Sequence, residues 1–187
     1  MGEINATTLP KCILSPPCPT PTSSAPVSSP SSNSSSARPA VSSKAVPDGH
    51  NDFKPHEKSM LLTRLAGHTA EFAGFAALIL TRPTIDMQTP EDPRKILRME
   101  TRAKLLADFD ELVPQAIAAL KSTTDDAFDQ TFILSRKGQP VFTGTRLAAY
   151  RNIALNHMIH HRGQLSVYLR LLNQPVPGSF GPSADGL

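Results

Sequence analysis

The stretch RNIALNHMIHHRGQLSVYLRLL, residues 151–172, carries two histidines one helical turn apart, His157 and His161. Residues four apart on a helix stack on the same face. Ile153, Gln164 or Leu165, and Tyr168 continue that line at steps of three and four, so the two rings share a face with apolar side chains. The pattern predicts a helix from about Thr145 to Leu172, stopped by Asn173 and kept from continuing by Pro175 and Pro177.

Working back from that helix, residues 59–81 show a second amphipathic stripe: Leu61, Leu65, His68, Phe72, Phe75 or Ala76, and Ile79. Ser59 is its expected N-cap, and Arg82-Pro83 ends it. Residues 83–100 hold three prolines and read as a loop, with one short turn around Lys95 to Met99. A helix follows Thr101, striped by Leu105 or Leu106, Phe109, Leu112 or Val113, Ala116 and Leu120, with Pro114 inside it as a kink. Thr131–Leu134 and Val141–Thr143, around SRKGQP, read as a small hairpin or an irregular extended loop. Three helices can bury a core, but a fourth is expected to close a bundle around an interior site.

The N-terminal stretch is of another kind. Residues 1–47 hold nine of the 18 prolines and 12 serines, a composition too poor in apolar surface to offset the entropy of ordering. They read as a disordered segment, and residues 48–187 as a helical domain. Pro16 to Pro19 matches P-x-x-P, but no basic residue sits beside it to favour a proline-recognition ligand. Cys12 and Cys18 are the only cysteines, so the helical part has neither a disulfide nor a thiol nucleophile, which fits a reducing cytoplasm. The longest later apolar run, Phe75 to Leu80, falls far short of the roughly 20 residues that span a bilayer. A net charge of +3, from 19 basic and 16 acidic residues with no long basic run, points away from nucleic acid.

Burying an imidazole without a partner costs roughly a few kcal/mol, so histidines on core-facing stripes call for an explanation. Metal ligation by neutral nitrogens is one; a hydrogen-bonded, merely packed role is the other, and spacing alone leaves both open. Two rings on one helix and a third on a facing helix would leave a coordination position for water or substrate. His160 should point about 100° away from His161, toward solvent, and His50 and His56 lie in the polar entry segment. The pair is not H-E-x-x-H, because Met158, Ile159 and His160 stand between the two rings. No Gly-rich phosphate loop, G-x-S-x-G elbow or dinucleotide fingerprint occurs.

LNHMIHHRGQLSVYLRLLNQPVPGSFGPSAD (155–185) and KPHEKSMLLTRLAGHTAEFAGFAALIL (54–80) resemble the last-helix and second-helix signatures of the DinB/YfiT-like family of metalloenzymes. The likeness covers roughly Val46 to Asp185. It implies an all-α, up-and-down four-helix bundle, with a divalent metal (nickel, zinc or iron) held by His68, His157 and His161. It also implies action on small molecules, with thiol-linked S-transferases using low-molecular-weight thiols among the members, and a homodimer as the assembly. A hydrolase, a catalytically silent metal-binding stress protein and a metal-free helical dimer scaffold stay open beside that reading. The first bundle helix is missing or replaced by the Ser/Pro-rich stretch, and residues 1 to about 45 read as an out-of-frame or misassigned start. Around the three histidines, Glu71 is a candidate to orient a ring or a plain exposed helix glutamate; Gln164 and Tyr168 could line a pocket and Arg162 and Arg170 recognise a carboxylate, but packing and hydrogen-bonding roles are the better expectation for these four.

Overall fold

Helix α1 (Leu62–Thr81) forms the axis of the structure, a computed structural model that describes residues 43–185. It is followed by β1 (Thr84–Met87), α2 (Arg102–Ser122), the short α3 (Asp125–Asp129), β2 (Thr131–Arg136) and β3 (Gln139–Thr145). The chain then runs without a break through α4 (Arg146–Ala149), a π-helical stretch (Tyr150–Asn156) and α5 (His157–Leu171).

This architecture corrects the all-α expectation. A three-stranded mixed sheet accompanies the helices: β1 pairs parallel with β2, and β2 antiparallel with β3. The physical reason lies in side chains that alternate across the strands. Ile85 and Met87 of β1, and Phe132 and Leu134 of β2, turn inward and are buried against the C-terminal half of α1. The hairpin turn needs left-handed backbone, supplied by Lys137 (φ 50°) and Gly138 (φ 79°). The Asp86 carboxylate accepts the Gly138 N–H at 2.9 Å, tying that turn to β1. The expected loop over 83–100 thus contains a strand, and no helix or turn forms at Lys95 to Met99. The place expected for a first bundle helix, and the Ser/Pro-rich segment up to residue 42, lie outside the described residues.

Two apolar clusters hold the elements together. One joins α1, α2 and α5 through Leu62, Leu65, Phe109, Leu165 and Leu169, and takes in Val46, which is fully buried. The other lies between α1, the sheet and the start of the last helical stretch, around Ile79, Ile85, Phe132 and Ala149. Each large side chain so buried contributes about 1.5–3 kcal/mol. Helix α1 begins two residues later than Ser59 implies: Leu61 occupies the N-cap position and offers no capping side chain. Thr101 and Thr145, where the two later helices were expected to start, cap them by accepting the Lys104 and Ala148 amides. Asn173, at φ 55°, ends α5 in left-handed conformation. Among the described residues, no helix is long and apolar enough to cross a membrane.

One close approach positions the site. A Cβ on Gly67 would lie 2.5 Å from the Leu97 carbonyl oxygen, so only glycine lets residues 97–99 run against α1 there. The segment is held by Met99 N–H to the Thr63 carbonyl (2.9 Å) and the Thr63 hydroxyl to the Met99 carbonyl (2.6 Å).

Candidate metal centre

His68 comes from the middle of α1, while His157 and His161 come from the first and second turns of α5. Each offers one ring nitrogen, and the three nitrogens lie within 4.8 Å of one another. Ring centroids stand 4.6 Å apart for His68–His161, 4.7 Å for His157–His161 and 5.5 Å for His68–His157. His161 is buried, His68 half-buried and His157 exposed, so the cluster opens toward solvent on the His157 side.

The other face of each ring is tied down. His161 Nδ1 bonds the Gln164 side-chain oxygen at 2.7 Å, which fixes its proton there and leaves Nε2 as a lone pair. That Nε2 is buried and has no hydrogen-bond partner. His68 Nδ1 donates to Glu71 Oε2 at 2.7 Å. Arg64 Nη2 also lies 3.0 Å from this nitrogen, but two N–H donors cannot bond each other. The guanidinium instead forks onto the Glu71 carboxylate at 2.7 and 3.1 Å, which leaves the His68 proton directed at the carboxylate. A ring N–H of His157 donates to the Ile153 carbonyl inside the π-helical stretch. There the ladder shifts, and the His157 amide bonds the Ala154 carbonyl.

These contacts also set the charge states. Burial, then the bonded Gln164 working against it and the neighbouring imidazoles working with it, leaves His161 pushed down to about 4. Burial and the charges of His68 and His160 likewise lower His157. Burial alone would raise the Glu71 carboxyl, but bonds from His68, Arg64 and the Leu97 amide outweigh it and hold it below the usual range. Near neutral pH, His157 and His161 are therefore neutral donors, beside an ionised carboxylate that holds the His68 proton.

The residues present fit a divalent transition metal. Three imidazoles with converging lone pairs, one of them orphaned in the interior, make a donor set suited to zinc, nickel or iron. The carboxylate–histidine contact is the kind that orients a ligating ring and raises its basicity. A cavity of about 530 Å³ adjoins the cluster, lined by His68, His157, Phe72, Phe75, Leu134 and Arg136 among others.

Glu71 takes the orienting position foreseen for it, and Gln164 does the same for His161 rather than lining the cavity. Tyr168 bonds the Met60 carbonyl at 2.7 Å and packs edge-on to Phe53, away from the site. Arg162 lies under the Phe180 ring and Arg170 pairs with Asp185, so neither reaches the cavity. His160 is exposed, and His56 accepts the Lys58 amide in the entry segment. Sequence reading missed Arg64, which reaches Glu71 along α1, and the 97–99 segment, whose Leu97 amide reaches Glu71 from a distant part of the chain.

Comparison with known proteins bears on the family and the fold. The chain is 30% identical over 125 residues to the uncharacterized protein YrdA of Bacillus subtilis (strain 168), covering 66% of this chain and 68% of that protein. Its fold is similar to a crystal structure of the DinB-like protein YjoA of Bacillus subtilis, with TM-score 0.58 and 22% identity over 77% of this chain and 91% of that one. A DinB-like protein of Bacillus cereus ATCC 10987 superposes with TM-score 0.54 and 18% identity, over 76% and 89% of the two chains. The family model of the DinB superfamily matches residues 44–165, well over half of the sequence, and the chain belongs to that superfamily.

Proposed function

We propose that His68, His157 and His161 hold a divalent transition metal, and that the protein is a metal-dependent enzyme acting on small molecules, with thiol-linked S-transfer as its chemistry. One observation carries this: three ring nitrogens within 4.8 Å, one of them buried and partnerless on the side facing the others. When bound, such an ion supplies Lewis acidity, lowering the pKa of a thiol or water or polarising a carbonyl. The remaining work falls to the chain. Glu71 and Gln164 hold protons on the nitrogens turned away from the centre. Phe72, with its ring 4.6 Å from His157 and 4.8 Å from His68, shields the cluster from water on one side. Glu71 is engaged by Arg64 and Leu97 and is not free to act as a general base. The described residues contain no cysteine, so among them no protein thiol competes with a small-molecule thiol at this site.

The test is elemental analysis of the purified full chain beside His68→Ala and His157→Ala. About one divalent ion per chain, lost in both variants, is the expected result; a metal-free parent that folds normally ends the proposal. Turnover of an aryl halide electrophile with glutathione, cysteine or other small thiols then checks the chemistry, and no turnover with any of them reduces the reading to metal binding.

A further inference from the structure

The cavity beside the histidines is not electrically neutral in its pairing. Arg94 is held by Asp92 at 2.9 and 2.7 Å, and Lys95 by Glu111 at 2.9 Å. Glu71 is matched by Arg64. Arg136, the last residue of β2, lines the same cavity, and among the described residues its side chain has no ion pair or hydrogen bond. The wall between is apolar: Phe75, Leu78, Leu112, Leu134 and Val141. A concave, largely apolar surface carrying one unmatched guanidinium focuses positive potential inward. The fork of an arginine fits a carboxylate with two parallel bonds.

We propose that this cavity takes a small molecule with an apolar body and a terminal carboxylate, and that Arg136 is the residue that pairs with the carboxylate. The inference rests on reading the cavity as the substrate pocket of the function proposed above, but it does not require the metal for its own anchor. A volume of about 530 Å³ accommodates an acid of this kind. The strand pairing Arg136↔Gln139 at the hairpin end places the guanidinium on a rigid element rather than a loop.

Octanoate and its neutral counterpart octanamide are suitable probes, titrated calorimetrically into the full chain with and without zinc. Octanoate should bind about tenfold more tightly than octanamide, as expected for one charge-assisted pair. Arg136→Ala should erase that preference and Arg136→Lys retain part of it, with melting temperatures near the parent's because the side chain is exposed. His157→Ala should leave the ratio intact. Equal binding of the two probes by the parent, or a preference that survives Arg136→Ala, overturns the proposal. So does a preference seen only with zinc and lost in His157→Ala, since the carboxylate then sits on the metal. A chain that binds no metal yet shows the Arg136-dependent preference would sink the enzymatic reading and keep this one.

Discussion

Replacing Glu71 by glutamine tests how the site is held without changing the size of any side chain. The carboxylate, 9% exposed, accepts from His68 Nδ1, from both Arg64 Nη atoms and from the Leu97 amide. Every partner is a donor, so a carboxamide satisfies only one end. With its NH2 toward His68, the ring must give up its Nδ1 proton and carry one on Nε2, the nitrogen needed for a metal. With its NH2 toward Leu97 and Arg64, two donors confront a third. Loss of such an orienting contact lowers metal affinity about 10- to 100-fold, or about 1.4–2.7 kcal/mol. The apo protein should lose about 1–2 kcal/mol from the unsatisfied donors, which for a chain of this size lowers Tm by roughly 2–8 °C. Zinc titration against a chromophoric chelator, paired with thermal melts, reads both quantities. A folded Glu71→Gln variant with zinc affinity within twofold of the parent would refute the assignment of the His68 tautomer.

Gly67→Ala sets a Cβ 2.5 Å from the Leu97 carbonyl and 2.9 Å from Arg98 Cα, both backbone, so residues 97–99 must move. Thermal melts should show a loss of about 1–3 kcal/mol, accompanied by weaker zinc binding as Glu71 loses the Leu97 amide; an unchanged melt would mean the segment is looser than drawn. Arg146→Met removes a buried guanidinium that donates to the Leu80 carbonyl at the end of α1, and urea unfolding should report a loss of about 1.5–3 kcal/mol. Asp92, brought to about 2 chiefly by its bond to Arg94, has a folded pKa below its unfolded value of 3.8. Its contribution is therefore present above about pH 4 and lost as pH falls toward 2, and Asp92→Asn should flatten the acid limb of stability across that window. His161 follows the same sign in the metal-free chain: stability is highest above about pH 6.5 and declines as pH falls through about 4, a decline that saturating zinc should shift to lower pH.

The helices and the histidine faces were legible because their signal is local. Steps of three and four in residues 59–81, 102–122 and 151–172 fix which side faces inward, and the cap residues Thr101 and Thr145 mark starts without any tertiary knowledge. The sheet was legible only in part. Val141 and Phe132 announce a hairpin, but Thr84–Met87 is four residues long and finds its partner nearly fifty residues downstream. A strand so short, set among prolines, has no pattern of its own; pairing to β2 and burial of Ile85 and Met87 make it one. The same holds around the histidines. That His68 and His161 each have a keeper at the i+3 position could be read from spacing. That Leu97 in turn holds Glu71 depends on Gly67, whose lack of a side chain gives no clue to what it admits. Arg162 and Arg170 take the structural roles favoured for them, though their partners Phe180 and Asp185 come from the tail beyond α5 and spacing does not name them.

The π-helical stretch Tyr150–Asn156 separates two demands on one helix. Its N-terminal turn is anchored to the hairpin through Arg146, whose amide bonds the Gln130 carbonyl at 2.8 Å. Its later turns must present two imidazoles to α1. Wider turns between these anchors act as a rotary coupling, setting the angle of the histidine pair independently of the sheet. A single-residue deletion there would convert the stretch toward ordinary α-helix and be absorbed by that change, leaving the histidine pair facing α1, whereas a deletion that the wide turns could not absorb would swing the pair about 100° around the axis.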